Sequence, residues 1–395
     1  MDAGSVRRLV DTQRLRWEPG ETALSALPDA EQRARLGAVP PAGAPSLAER
    51  EQRAAARVAA APSAQAIGLP TSVDWRNMNG ANWVTPIEDQ GACGSCVAFG
   101  SVAAFESRVR IARSNAAQAV DLSEADLWFC WGPQQGAGPC PGGGWWPDSA
   151  YPGLVQGIVD AACFPYTAAN QACHRCPDAA SRLHKITAWH TLTSVADMKS
   201  FLARLGPVST CFTVYSDFYN YTGGVYSPVN DPSNQVAGGH CVCVVGYDDV
   251  NRCWICKNSW GTGFGEQGFF RIAYGVCGID SEMWAIDAVV IPSGGQLWHT
   301  IRNADGTWAP QFGLVEGIER NNPGAFSAVS CAGVGDQLQV VGIVNGQLWH
   351  TIRNADGTWA PQFGLVEGVE RNNPGAFSGI SCAGVISQLQ LIGIS

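Results

Sequence analysis

The sequence predicts an α+β protein of two packed lobes followed by an all-β tail, and three observations carry that reading. From Cys96 through Ala98, Phe99, Val102, Ala103, Phe105 and Val109, apolar residues recur at helical spacing, which puts Cys96 in the first turn of a helix. From Val208 through Cys253-Trp254-Ile255-Cys256 to Phe269-Phe270-Arg271-Ile272, apolar strand-like runs are separated by Gly and Asp turns. Finally, 295–344 and 346–395 align over 50 positions with eight differences, at a period of 51 residues. Repeats of this length mark propeller blades or arrays.

Three regions follow: 1–68, 69–292 and 293–395. The first is rich in Ala, Arg and Glu, contains Pro40-Pro41 and Pro45, and has irregular helical patterning around Ala30 to Arg35 and Leu47 to Ala60. In the tail, each copy carries Leu-Trp-His-Thr-Ile-Arg, Asn-Ala-Asp-Gly, Thr-Trp-Ala-Pro and a closing Gln-Leu-Gln strand. Asp-Gly at 305–306 and 356–357 and the Asn345-Gly346 junction are strong hairpin turns, giving four short strands per unit. Two such units leave unpaired edges, so self-association into a larger ring or a truncated reading frame would have to account for them. For Trp298, Trp308, Trp349 and Trp359, core packing competes with stacking on a ligand.

With 395 residues, 46% hydrophobic and 15% charged, the chain has room for two or three domains with a substantial core. A net charge of −9 and only three lysines, Lys185, Lys199 and Lys257, leave no basic stripe for nucleic acid or an anionic bilayer. No apolar run approaches the roughly 20 residues needed to span a membrane. Fifteen cysteines, clustered between Cys93 and Cys176, predict disulfides and a secreted or extracellular location. Met1 to Gly20 lacks the apolar core of a secretory signal, so the export route is not visible.

The chemistry is concentrated in Asp89-Gln90-Gly91-Ala92-Cys93-Gly94-Ser95-Cys96. A thiol attacks a carbonyl well only as thiolate, so a nucleophilic Cys96 needs a base, a group to orient that base, and donors for the oxyanion. Gly238-Gly239-His240 and Lys257-Asn258-Ser259-Trp260-Gly261 supply candidates for the first two, and Gln90 for the third. The positive end of the helix dipole would lower the thiol's pKa. Zinc competes for Cys173-His174-Arg175-Cys176 and for Cys241, Cys243, Cys253 and Cys256, although neither set has a common zinc spacing.

The order Gln90, Cys96, His240, Asn258, with the words around each, resembles the papain/cathepsin family of cysteine proteases from about Leu69 to Pro292, beginning at Ser72-Val73-Asp74-Trp75-Arg76. The resemblance implies a helical lobe and a β-barrel-like lobe with a cleft between them. It implies Cys96 as nucleophile, His240 as base, Asn258 orienting the imidazole, Trp260 shielding that bond, and Gln90 as oxyanion donor with the Cys96 N–H. It also implies substrate pairing along Gly142 and Gly143, chiefly Gly143, and disulfides Cys93–Cys140, Cys130–Cys173 and Cys163–Cys176. Glu282, in Cys277-Gly278-Ile279-Asp280-Ser281-Glu282, resembles the base of the pocket for the second residue upstream of the cut, where a carboxylate accepts Arg or Lys.

Residues 1–68 then read as a prosegment that covers the cleft and is cut at or near Leu69, with Trp17-Glu18-Pro19-Gly20 similar to an element of short propeptides; a solvated linker is the alternative. Val97 and Gly239 depart from the family's usual residues without removing a catalytic group. The tail resembles Trp-rich blades of propeller lectins. The expected function is a cysteine endopeptidase acting on protein or peptide substrates without cofactor or metal, with glycans as candidate partners of the tail and a homo-oligomer as its candidate assembly. The alternative is a carbohydrate-binding protein whose protease domain is silent.

Overall fold

A helix that is buried on every side organises the larger part of the molecule. The computed structural model describes residues 1–113, 115–290, 298–299, 313–314, 326, 328–344, 347–355, 358, 364–365, 379–385 and 388–394. It divides into two compact units, Met1–Val289 and Val290–Ser395.

In the first unit the N-terminal region forms α1 (Ala3–Gln13), β1 (Arg16–Pro19), α2 (Asp29–Arg33) and α3 (Leu47–Ala60). The start of α3 is set by a capping box: the Ser46 hydroxyl accepts from the Glu49 N–H, and the Glu49 carboxylate accepts from the Ser46 N–H. Then come β2 (Ser72–Asp74), α4 (Cys96–Ala112), α5 (Pro147–Gln156), β3 (Lys185–Leu192) and α6 (Val195–Arg204). They are followed by β4 (Val208–Tyr215), β5 (Tyr221–Tyr226), β6 (Val236–Asp248), β7 (Cys253–Lys257), β8 (Phe269–Ala273) and β9 (Met283–Val290). One sheet runs β1-β5-β8-β7-β6-β4-β9-β3, with β2 added to β6.

Two cores result. One lies around α4, α5 and the turns between them, with Trp128, Tyr151, Phe105 and Leu154 fully buried. The other fills the sheet side with Phe212, Phe218, Tyr226, Phe264 and Phe270. Every residue of α4 from Cys96 to Val109 is buried, including the polar Ser101, Glu106, Ser107 and Arg108. Burial on every side suits a central helix. Gly100 is where α4 meets β6: a Cβ there would sit 2.9 Å from the Cys241 sulfur and 3.1 Å from the Val242 nitrogen.

The N-terminal region is not a solvated linker. Trp17 is buried edge-on to Tyr226 at 5.1 Å, and β1 pairs antiparallel with β5, so the Trp-Glu-Pro-Gly element is an added strand of the sheet. None of the described helices is long and apolar enough to cross a membrane.

In the tail, β10 (Trp298–His299) pairs with β11 (Gly313–Leu314), and β12 (Ala328–Val334) with β13 (Gln337–Val344). The second copy repeats this with β14 (Gln347–Arg353) against β15 (Gly364–Leu365) and β16 (Gly379–Val385) against β17 (Gln388–Ile394). The sheet is offset from the sequence repeat, however. β13 pairs with β14 across the Asn345-Gly346 junction, so a four-stranded sheet β12-β13-β14-β15 takes two strands from each copy. Trp349 is half-buried, its indole N–H shielded and without a partner. The side chain of Trp298, and Trp308 and Trp359 altogether, lie outside the described residues.

The close approach at Gly100 yields a stability test. Gly100→Ala is expected to destabilise the fold by about 1–3 kcal/mol through overpacking against β6, read as a lower urea midpoint with an unchanged slope.

Candidate active site

Two loops that meet edge to edge hold the site together. The Gln90 N–H donates to the Ser259 carbonyl at 2.9 Å, the Ser259 hydroxyl donates to Gln90 Oε1 at 2.7 Å, and Asp89 bridges Trp260. Gly91, at φ +57°, makes the turn that follows. Tyr166 ties the loop down from the other side: its hydroxyl donates to the Gln90 carbonyl at 2.8 Å and pairs with the Ser95 hydroxyl at 2.8 Å. Nothing local in the sequence marks Tyr166 as a brace.

Cys96 is the first residue of the 17-residue α4, is fully buried, and is a free thiol, whereas Cys93 is bonded to Cys140. The other two disulfides are Cys130–Cys173 and Cys163–Cys176. Cys173 and Cys176 are thereby spent in separate bridges. Among the described residues no cluster of three or more His, Cys, Asp or Glu side chains could hold a metal ion.

His240 stands on β6 opposite Phe212, its ring stacked on Trp260 with centroids 4.5 Å apart. Its Nε2 lies 2.7 Å from Asn258 Oδ1. That oxygen also accepts the Ser259 N–H at 2.9 Å, which fixes the orientation of the Asn258 amide. An amide oxygen can only accept, so Nε2 carries the proton and Nδ1 carries the lone pair. Nδ1 is buried and has no hydrogen-bond partner. Trp260 is itself buried, covering the His240–Asn258 bond from water.

The thiol sits beside this strand. The backbone N–H groups of Cys241, the residue after His240, and of Gly37 and Val97 lie near enough to the Cys96 sulfur to favour its charged form. The expected lowering of the thiol's pKa by the helix dipole does not prevail here. Burial pushes the Cys96 thiol up to about 12, the nearby Cys241 thiol adding to the rise, and burial pushes His240 down to about 4 against its bond to Asn258. Desolvation disfavours both charges together, which favours the neutral thiol and the neutral imidazole in this covered state.

What covers this couple is the N-terminal segment. The Ala38 N–H donates to the Gly239 carbonyl at 3.0 Å, the Val39 N–H to the Trp145 carbonyl at 3.0 Å, and the Trp145 N–H to the Gly37 carbonyl at 2.8 Å. Gln90 Nε2, the expected oxyanion donor, is engaged by the Arg35 carbonyl at 2.9 Å and the Cys93 carbonyl at 2.7 Å. Gly37 passes so close to the Gly94 carbonyl that a Cβ would fall 1.6 Å from its oxygen. Gly239 has the same meaning on the other wall, where a Cβ would lie 2.1 Å from the Ala38 carbonyl oxygen. Val97 is fully buried in the α4 core.

Main-chain pairing, expected at Gly143, is made at Trp145 in this covered state. Gly142 takes φ +81°, and Gly143 packs backbone against backbone between Gly94 and Gly138, so the segment is faced by Gly144, where a Cβ would lie 2.3 Å from the Val39 side chain, and by Trp145. Glu282 forms an ion pair with Arg50 of α3. Trp145, Trp146, Gly37 and Arg50 escaped sequence reading, because only the fold brings residues 35–50 over the cleft.

A family model described as papain family cysteine protease matches residues 69–286. Pro-cathepsin H of Mus musculus is 36% identical over 216 residues, covering 53% of this chain and 62% of the mouse protein. Cysteine proteinase 2 of Entamoeba histolytica is 34% identical over 224 residues, covering 55% of this chain and 68% of the amoebic protein. The match thus spans less than two thirds of the mouse protein's length. Among solved structures, procathepsin B S9 from Trypanosoma congolense is similar with a TM-score of 0.58 at 25% identity, covering 72% of this chain and 97% of that one. Procathepsin L2 from the larval midgut of Tenebrio molitor gives a TM-score of 0.55 at 27% identity, covering 72% and 88%.

The neutral, buried imidazole has a consequence for acid stability. A histidine whose pKa is depressed from 6.5 to about 4 on folding contributes stability above pH 6.5 that is lost as pH falls through about 4. Unfolding free energy of the intact chain is expected to fall by up to about 3 kcal/mol more in the parent than in His240→Gln across that window. Urea titrations of both chains at several pH values give the comparison, and parallel pH profiles would exclude the assignment.

Proposed function

Because the chain belongs to the papain family of cysteine proteases, we propose that it is the precursor of a thiol endopeptidase that hydrolyses peptide bonds through Cys96, His240, Asn258 and Gln90. The observation that carries this reading is the imidazole whose Nε2 is locked to Asn258 while Nδ1 stays bare, on the strand that packs against the helix begun by Cys96.

Once residues 1–68 leave, water reaches the couple and both desolvation penalties fall. The thiol proton passes to Nδ1, and the helix N-terminus then favours the thiolate. Sulfur attacks the scissile carbonyl, and the oxyanion is held by Gln90 Nε2 and the Cys96 N–H. The imidazolium protonates the leaving amine, leaving a thioester on Cys96. His240 then takes a proton from water, which attacks the thioester and releases the acid and the free thiol. That Gln90 Nε2 donates to the Arg35 carbonyl in the covered chain supports reading this amide as a donor to a substrate carbonyl oxygen.

Glu282 is read as the carboxylate of the pocket for the second residue upstream of the cut, so that Arg and Lys are accepted there beside apolar residues. Its pairing with Arg50 supports this. The three disulfides support a secreted or extracellular protein. For the tail, the repeated strand pairs and the unpartnered indole N–H of Trp349 support a module that tethers the enzyme to glycans or to further copies of itself. Retention of the intact chain on immobilised glycans and its mass in light scattering test those two roles.

With the N-terminal region removed, a peptidyl epoxide is expected to label Cys96 and abolish peptide hydrolysis, and Cys96→Ser to be inactive. Gln90→Ala is expected to lower kcat on the order of a hundredfold. Glu282→Ala is expected to lose hydrolysis of substrates with Arg at the second position while keeping those with Leu or Val. An unlabelled Cys96 in a trimmed, folded chain that still binds glycans would favour the silent-protease reading.

A further inference from the structure

Arg50 is seated as a ligand would be. It lies on α3, its side chain only 10% exposed, with its guanidinium carbon 4.4 Å from the centre of the Trp146 ring. Its Nε donates to the Pro45 carbonyl at 3.0 Å, and its Nη1 pairs with Glu282, whose own side chain is 20% exposed. Cys211, Asp148 and Arg53 are the other titratable groups near enough to act on it. A flat cation against an indole face with a carboxylate at its edge is an arrangement suited to a guanidinium and poorly suited to an ammonium.

The rest of α3 only brings this side chain into place. Its backbone packs on the glycine-rich turn before β9, where a Cβ on Gly278 would lie 3.2 Å from the Glu51 nitrogen. Glu51 accepts from the Tyr215 hydroxyl at 3.0 Å, and Arg57 donates to the Ser281 carbonyl. Neither contact is with Trp146 or the Glu282 carboxylate. Removing one member of a desolvated charge pair leaves the other uncompensated, so the closed state depends on Arg50 more than on these outer contacts.

We propose that Trp146 and Glu282 form a guanidinium-binding site whose resident ligand in the intact chain is Arg50, so that one pocket both selects substrate and holds the N-terminal segment over Cys96. This rests on the reading of Glu282 as a specificity residue. By linkage, a guanidinium ligand that enters the pocket must displace Arg50 and loosen the cover, and a loosened cover must bind that ligand more tightly.

The test is pulse alkylation of Cys96 by iodoacetamide in the intact chain, scored by the mass of uncut protein, with the thermal midpoint of each variant recorded. Arg50→Met and Glu282→Gln are each expected to speed alkylation at least tenfold, and the double variant no more than the faster single one. The charge swap Arg50→Glu with Glu282→Arg is expected to return the rate to within about threefold of the parent. Millimolar N-acetylarginine amide should accelerate alkylation of the parent, and the neutral citrulline analogue should not.

An Arg50→Met rate within twofold of the parent, an equal acceleration by Arg57→Met, or equal action of the arginine and citrulline amides would each overturn the proposal. Alkylation needs no turnover. A trimmed chain that is alkylated at Cys96 yet cuts no peptide would therefore remove the proteolytic reading and leave the guanidinium site standing.

Discussion

One hydrogen bond, from His240 Nε2 to Asn258 Oδ1, decides what the site can do. It would be ambiguous if the amide could rotate, but the Ser259 N–H holds the same oxygen, so the amide presents an acceptor and the imidazole must donate. The tautomer that follows leaves the lone pair on Nδ1. Everything around the bond serves to keep it: Trp260 stacks over the ring, and the Gln90 loop is fastened to Ser259 through main chain and side chain alike. Gln90 and Asn258 are therefore one mechanical unit, further braced by Tyr166.

Electrostatics in the covered chain runs opposite to what the helix terminus alone would suggest. The dipole at the start of α4 favours a thiolate by an amount on the order of 1 kcal/mol, whereas full burial costs several-fold more. With the N-terminal segment in place, burial disfavours the charged forms of both Cys96 and His240. The segment excludes water, hydrogen-bonds the donor Gln90 through the Arg35 carbonyl, and threads a glycine past Gly94 where no larger residue fits. The same side chains that would serve a substrate are occupied by the chain itself.

Much of the site could be read from residue order, since each catalytic candidate lies in a short, distinctive run, and the three disulfide pairs implied by the resemblance are the bonds present. The run around Gly142 and Gly143 was less informative. Three consecutive glycines leave the register open, and the segment is met by Gly144 and Trp145 because Gly143 is packed between two other backbones. The tail shows the same limit: a perfect sequence period does not say where a sheet begins, and pairing across Asn345-Gly346 shares one sheet between the two copies.

By itself the sequence determined the chemical types: a thiol at the start of an apolar helix, an imidazole in a β run, an amide and an indole in one short word, and cysteines arranged for bridges. Those are local properties, set by side-chain chemistry and by neighbours within a few positions. Only the tertiary structure decided the protonation of the couple, the tautomer of His240, the strand made by Trp17, and the partner of Glu282. Each of these depends on residues roughly 20 to 230 positions apart, whose meeting is governed by burial and sheet topology rather than by spacing along the chain.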